Sequence, residues 1–80
     1  MATIHFPRSL AVHTGGVASL TVDAPRVLEL MEVVLDRYPT LASPLEIMAV
    51  AVDGEVHQPP DYVRLSSDSE VHFVPRVAGG

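Results

Sequence analysis

Only one stretch of this chain repeats its apolar residues at helical spacing, and runs that alternate at period two flank it on both sides. From Arg26 to Tyr38, the residues Val27, Met31, Val34, Leu35 and Tyr38 recur at i, i+4, i+7, i+8 and i+11, while Glu29, Glu32 and Asp36 fall on other faces. That pattern predicts a single amphipathic helix. Asp23 and Pro25 supply its start signal, an acid near the positive end of the dipole and a proline in the first turn, and Pro39 ends it.

On the N-terminal side, Thr3 to Phe6 alternates Thr3 and His5 outward with Ile4 and Phe6 inward, and Val17 to Val22 places Ala18, Leu20 and Val22 on one face. These read as two strands returned antiparallel through the Gly15-Gly16 turn. On the C-terminal side, Ile47 to Val52 is apolar on both faces, and Asp53-Gly54 is a favoured type I′ pair leading into Glu55 to Gln58, which predicts a hairpin. Pro59-Pro60 breaks the pattern. Asp61 to Leu65 is expected to form a single turn laying Tyr62 or Val63, with Leu65, on the core. Ser66-Ser67-Asp68-Ser69 is a further turn, and Glu70 to Val74 alternates with Val71 and Phe73 inward.

The order β-β-α-β-β-β predicts an α+β fold, a mixed sheet of four to five strands packed on one helix. The first and last strands are expected side by side and parallel at its centre, joined by a crossover that includes the helix. His5 and His72 then share the outer face, near whichever of Met48 and Ala49 points outward. That face is expected to carry more apolar area than exposure to water requires, the mark of a protein interface.

Size and charge narrow the function. A chain of 80 residues buries only about 60 to 65% of its unfolded surface, leaving little room for an internal active site, so a self-contained enzyme is not expected. With two Phe, two Tyr and no Trp, the core must come from Val, Leu, Ile, Ala and Met. The formal charge is -5, from ten acids against five Arg with no Lys, so phosphate backbones and anionic membranes would be repelled and a basic protein surface attracted. Without Lys, the chain offers no side-chain amine on which chains of itself could be built. There is no Cys, which removes disulfides, a thiol nucleophile and a side-chain persulfide. Met1 to Pro7 lacks a signal-peptide pattern, and no apolar run approaches the ~20 residues of a membrane span, so the expected compartment is the cytoplasm.

The ending carries the main functional signal. After Val71-His72-Phe73-Val74 come Pro75-Arg76-Val77-Ala78 and then Gly79-Gly80. Two residues without Cβ can enter a channel too narrow for side chains, and with Gly near 7% of usage a chance Gly-Gly end has a probability of roughly 0.5%. The expected division is a folded domain over 1–75 and a flexible tail over 76–80, with the terminal carboxylate as the working group.

Taken together, the hairpin, the helix ending in Tyr38-Pro39, the run Val50-Ala51-Val52-Asp53-Gly54-Glu55 and the segment Glu70 to Gly80 resemble the MoaD/ThiS group of ubiquitin-like β-grasp sulfur carriers over nearly the whole length. The size and the Tyr38-Pro39 exit look like the small subunit of molybdopterin synthase. His13-Thr14-Gly15-Gly16 and the Pro75-to-Gly80 ending are also similar to the actinobacterial carrier used for cysteine biosynthesis. Two features depart from the group: Ser67-Asp68-Ser69-Glu70 stands where Gly-Asp is usual, and Pro75-Arg76 where Pro-Pro is common.

The resemblance implies a carrier with no catalytic residues of its own and no bound cofactor. A partner of the ubiquitin-activating type, using ATP and magnesium, would adenylate Gly80; a sulfur donor would then leave a thiocarboxylate for a sulfur-accepting synthase subunit. Arg76, Val77, Ala78 and Gly79 would form the inserted tail, and His5, His72 and Val74 the partner interface. Molybdopterin synthesis is the leading destination, with cysteine or thiamine synthesis, or conjugation of Gly80 to protein lysines, as alternatives. Nothing else in the chain competes. Gly15-Gly16 lacks the Lys-Ser/Thr of a phosphate loop. His5, His13, His57 and His72 show no metal spacing, and the serines of 66–69 have no partner histidine to activate them.

Overall fold

A computed structural model describes residues 1–57 and 60–75 of the chain. Five strands, β1 (Ala2–His5), β2 (Ser19–Val22), β3 (Met48–Val52), β4 (Glu55–His57) and β5 (Glu70–Pro75), form one mixed sheet in the order β2-β1-β5-β3-β4. β5 is the central strand, parallel to β1 and antiparallel to β3, as the crossover rule requires. The expected four-to-five-strand sheet on one principal helix is therefore what forms.

That helix, α2 (Val27–Arg37), lies on the inner face. Its first backbone N–H groups are not capped by a side chain. Val27 N–H instead donates to the Val63 carbonyl at 3.0 Å and Leu28 N–H to the Asp61 carbonyl at 2.9 Å, while Leu65 N–H donates to Pro25. The 61–65 segment thus satisfies donors that a helix start leaves orphaned. It also lays Val63 and Leu65 against the core and leaves Tyr62 exposed, deciding between the two candidates of that turn. Asp23 and Pro25 precede the helix, but Arg26 occupies the N-cap position.

The core gathers Ile4, Val71 and Phe73 from the two central strands, Val50 and Val52 from β3, and Val27, Leu30 and Val34 from α2. Leu30 is fully buried, whereas Met31, Leu35 and Tyr38 are only partly covered. The helix therefore faces the sheet about one residue round from the stripe its spacing suggested. Phe6 packs edge-on to Tyr38 at 5.7 Å and against Phe73 at 6.1 Å between ring centres.

Short helical pieces in the connections complete the fold. A 3₁₀ turn at Arg8–Leu10 runs into α1 (Ala11–Thr14), which ends at Gly15 in the left-handed region, φ 66°. Another 3₁₀ turn at Pro39–Leu41 leads into α3 (Ala42–Leu45). They bury Leu10, Thr14 and Leu41. The β3-β4 hairpin turns through Asp53 at φ 51° and Gly54 at φ 83°, the double positive φ of the type I′ turn. β4 reaches His57; Gln58, expected as its last residue, and Pro59 lie outside the described residues.

Candidate docking face and tail base

Alternation along three neighbouring strands builds one outer surface. Ile4, Val71, Phe73, Val50 and Val52 point inward, so Thr3 and His5 of β1, Glu70, His72 and Val74 of β5, and Ala49 and Ala51 of β3 stand on the opposite side. Of Met48 and Ala49, the outward residue is Ala49, with Met48 packed toward the core.

Register then decides which of these side chains meet. His5 pairs with His72 across the parallel β1-β5 ladder, and their rings stack at 4.4 Å with an interplanar angle of 10°. His5 Nε2 lies 2.8 Å from Glu70 Oε1, which makes Glu70 the third member of the group. Val74 is half-buried opposite Ala49. Ala49 and Ala51 are small enough to be covered by their neighbours. The exposed apolar part of the face therefore shrinks to its β5-β3-β4 side, chiefly Val74 and Val56, while Thr3, Thr21 and Ser19 make the β1-β2 side polar. This is a more divided surface than the expected broadly apolar one.

The start of β5 is fixed from two sides. Glu70 N–H donates to Asp53 Oδ1 at 2.9 Å and Asp53 N–H to the Glu70 carbonyl at 2.8 Å. Ser66 and Ser69 close the preceding turn through Ser66 N–H to Ser69 Oγ at 2.8 Å, so these serines are structural. At the other end, Pro75 borders a groove shared with Ser9, Leu10, His13, Pro44, Ile47 and Met48. His13 Nδ1 lies 3.0 Å from Thr40 Oγ1, tying α1 to the Pro39–Leu41 turn beside that groove. The groove is not legible in the sequence, because it depends on the four-residue helices α1 and α3.

Arg76, Val77, Ala78, Gly79 and Gly80 lie outside the described residues. Of the expected interface residues, His5, His72 and Val74 share one face. Among the described residues no group of three His, Cys, Asp or Glu side chains could hold a metal ion, and no helix is long and apolar enough to cross a membrane.

The sharpest electrostatic feature sits away from this face. Arg26 donates to both carboxylate oxygens of Glu29, at 2.9 and 2.6 Å. The hydrogen bond, reinforced by the opposite charge, holds the Glu29 carboxyl below its ordinary range and raises the Arg26 guanidinium above its own. Arg26 also covers the Tyr62 ring at 5.5 Å, a cation–π contact. This group clasps the 61–65 segment to the start of α2.

No protein-family model matches the chain. Over 52 residues, 65% of its length, it is 35% identical to the molybdopterin synthase sulfur carrier subunit of Caenorhabditis briggsae, and it spans 62% of that protein. It superposes on a chain of the Amycolatopsis orientalis BexX/CysO complex over the whole of both, with a TM-score of 0.83 and 25% identity. The small archaeal modifier protein 1 of Methanosarcina acetivorans matches over 99% of this chain and 95% of its own, with a TM-score of 0.80 and 17% identity.

Proposed function

We propose that this chain, a ubiquitin-like β-grasp protein related to the MoaD- and CysO-type sulfur carriers, is itself a non-catalytic sulfur carrier working through Gly80. The reading rests above all on one observation: the central strand, held on both sides by β1 and β3, carries His72 and Val74 on the face of His5 and ends at Pro75, after which the sequence reads Arg76-Val77-Ala78-Gly79-Gly80.

A carboxylate with an ordinary pKa near 3.5 is an anion at neutral pH and a poor electrophile. An adenylating partner of the ubiquitin-activating type joins its oxygen to the α-phosphorus of ATP, forming the acyl-AMP and releasing pyrophosphate, and supplies the magnesium and the phosphate-binding groups. A sulfur donor then displaces AMP and leaves Gly80 as a thiocarboxylate. Arg76, Val77, Ala78 and Gly79 form the segment that enters the partner, and a sulfur-accepting synthase subunit takes the sulfur. Delivery to molybdopterin synthesis is favoured by the name of the C. briggsae relative. Delivery to cysteine synthesis is the second reading, favoured by the likeness of His13-Thr14-Gly15-Gly16 to the actinobacterial carrier and by the full-length match to the CysO complex.

The test is intact-mass spectrometry of protein isolated from its own cells. The expected species ends at Gly80 with one oxygen exchanged for sulfur. A chain that continues past Gly80, or an acid form that never exchanges under sulfur-limited and sulfur-replete growth alike, refutes the proposal.

A further inference from the structure

We infer that β2 is a self-complementary edge through which two copies of this chain pair antiparallel, joining their five-stranded sheets into one. The inference is independent of the carrier reading and uses a feature which that reading leaves idle: the two edges of the sheet differ in chemistry. β2 is bonded on one flank only, to β1. Antiparallel neighbours alternate between pairs that exchange backbone hydrogen bonds and pairs that do not. Phe6 N–H donates to the Ala18 carbonyl at 2.8 Å, so the bonded pairs continue at Ile4 with Leu20 and Ala2 with Val22. Ser19 and Thr21 hold the alternate positions and turn their N–H and C=O groups outward, and both residues are exposed. From Val17 to Val22 there is no charge and no proline, the usual devices that blunt an open strand. The other edge does carry them. β4 is three residues long and starts at Glu55; with Val52–Glu55 and Val50–His57 as its bonded pairs around the two-residue turn, only Val56 within it turns its backbone groups outward. The sequence then reads Gln58-Pro59-Pro60.

A second copy fits this edge because the segment matches itself. A two-fold axis through Leu20 sets that side chain beside its counterpart on the inner face, at the close spacing of a pair without hydrogen bonds. Ser19 of each copy then stands opposite Thr21 of the other, so every outward N–H and C=O of these two residues finds a mate, and their hydroxyl side chains meet on the outer face. Charge follows the same symmetry. Asp23 of each copy falls opposite Val17 of the other, and Arg8 is exposed beside Val17, lining a hollow with Gly16, Val17 and Ala18. Each carboxylate is thereby brought to the end of the strand where the other copy carries a guanidinium. The two Asp23 residues, each three positions from the axis, stay about 20 Å apart along the strands at ~3.3 Å per residue.

The test is sedimentation equilibrium of the full chain from about 10 μM to about 1 mM, with amide hydrogen exchange read at both ends of that range. One strand pair buries less than the ~1,200 Å² of a stable interface, so the expected dimer is weak, with a Kd of about 0.1 mM. The Ser19 and Thr21 amides should exchange freely in the dilute protein and slow several-fold in the concentrated one. Thr21→Lys should weaken the dimer about tenfold, even though it reduces the net charge of -5 that drives copies apart. Val56→Lys makes the same change of charge at the other edge and should leave the dimer at least as strong as wild type. A synthetic peptide of alternating Val and Thr is the probe for a foreign strand. A monomer throughout the range, equal weakening by Thr21→Lys and Val56→Lys, or slowed exchange at Ser19 and Thr21 that requires the peptide would each overturn the proposal.

Discussion

Truncating Leu30 to Ala tests how α2 is seated on the sheet. Leu30 is fully buried in the first half of the helix, against the sheet that carries β5. Removing three carbons forfeits about 2.4 kcal/mol at ~0.8 kcal/mol per buried CH₂. The cavity left between helix and sheet adds to this, for a total of about 3 to 4 kcal/mol. A domain of 80 residues has roughly 4 to 12 kcal/mol in hand, so the variant should fold but lose much of its margin. With an unfolding entropy of about 2.1 cal/mol/K per residue, a loss of ~3 kcal/mol lowers Tm by roughly 18 °C. Urea denaturation followed by far-UV circular dichroism should show the midpoint falling by about 3 M at an m-value near 1 kcal/mol/M, with the slope unchanged. Met31, only partly covered, is the control. A loss below about 1 kcal/mol for Leu30→Ala, or a larger loss for Met31→Ala, would mean that the helix sits on the sheet with a different face.

Other perturbations probe the remaining joints. Gly54→Ala forces a Cβ into a backbone at φ 83° and should cost about 1 to 2 kcal/mol by the same denaturation assay, although nothing lies within 4 Å to clash with it; an unchanged midpoint would contradict the turn geometry. Because Arg26 depresses the Glu29 carboxyl, the stability this pair contributes is present above the ordinary value of 4.5 and is lost as pH falls through the lowered folded-state value. The stability-pH profile of Glu29→Gln should therefore be flatter than wild type below about pH 5, and parallel profiles would argue against the pair. Deleting Gly80 should abolish sulfur loading while leaving Tm within a degree or so of wild type, since among the described residues every core residue lies before Pro75; a collapse in Tm would put the terminus inside the fold.

Which parts of this architecture were legible in the sequence follows from how local their causes are. The Asp53-Gly54 turn, the α2 span and the inward Val71 and Phe73 depend on residues next to them, and each appears where its pattern predicts. The meeting of His5 and His72 required only alternation plus the handedness of the crossover, both general rules. The cap of α2 is different: it is made by carbonyls more than thirty positions downstream at Asp61 and Val63, and no residue near Arg26 announces it. Glu70 as the partner of His5 is not legible for the same reason, since the contact is a diagonal one set by the β1-β5 register, in which Glu70 pairs with Thr3, two positions before His72. α1 and α3, at four residues each, are shorter than two helical turns, too short for a periodicity to show.

The seating of β5 sets a limit on any partner of the proposed carrier. A strand bonded on both flanks, with Val71 and Phe73 in the core, cannot shift along the sheet without moving every side chain out of register. Pro75 therefore keeps a constant position relative to His5, His72 and Val74. Docking that face onto a partner fixes where the tail begins, and five residues of at most ~3.4 Å each give Gly80 a radius of about 17 Å from there. Under the proposed function, an activating and an accepting partner that dock on this face must each present their reacting centre within that radius. Inserting two residues after Pro75 would lengthen the reach without altering the dock, and should preserve binding while slowing both adenylation and sulfur transfer, because a longer tether dilutes the end group at a site spaced for five. Equal rates with the lengthened tail would show that the face does not set the geometry of the reaction.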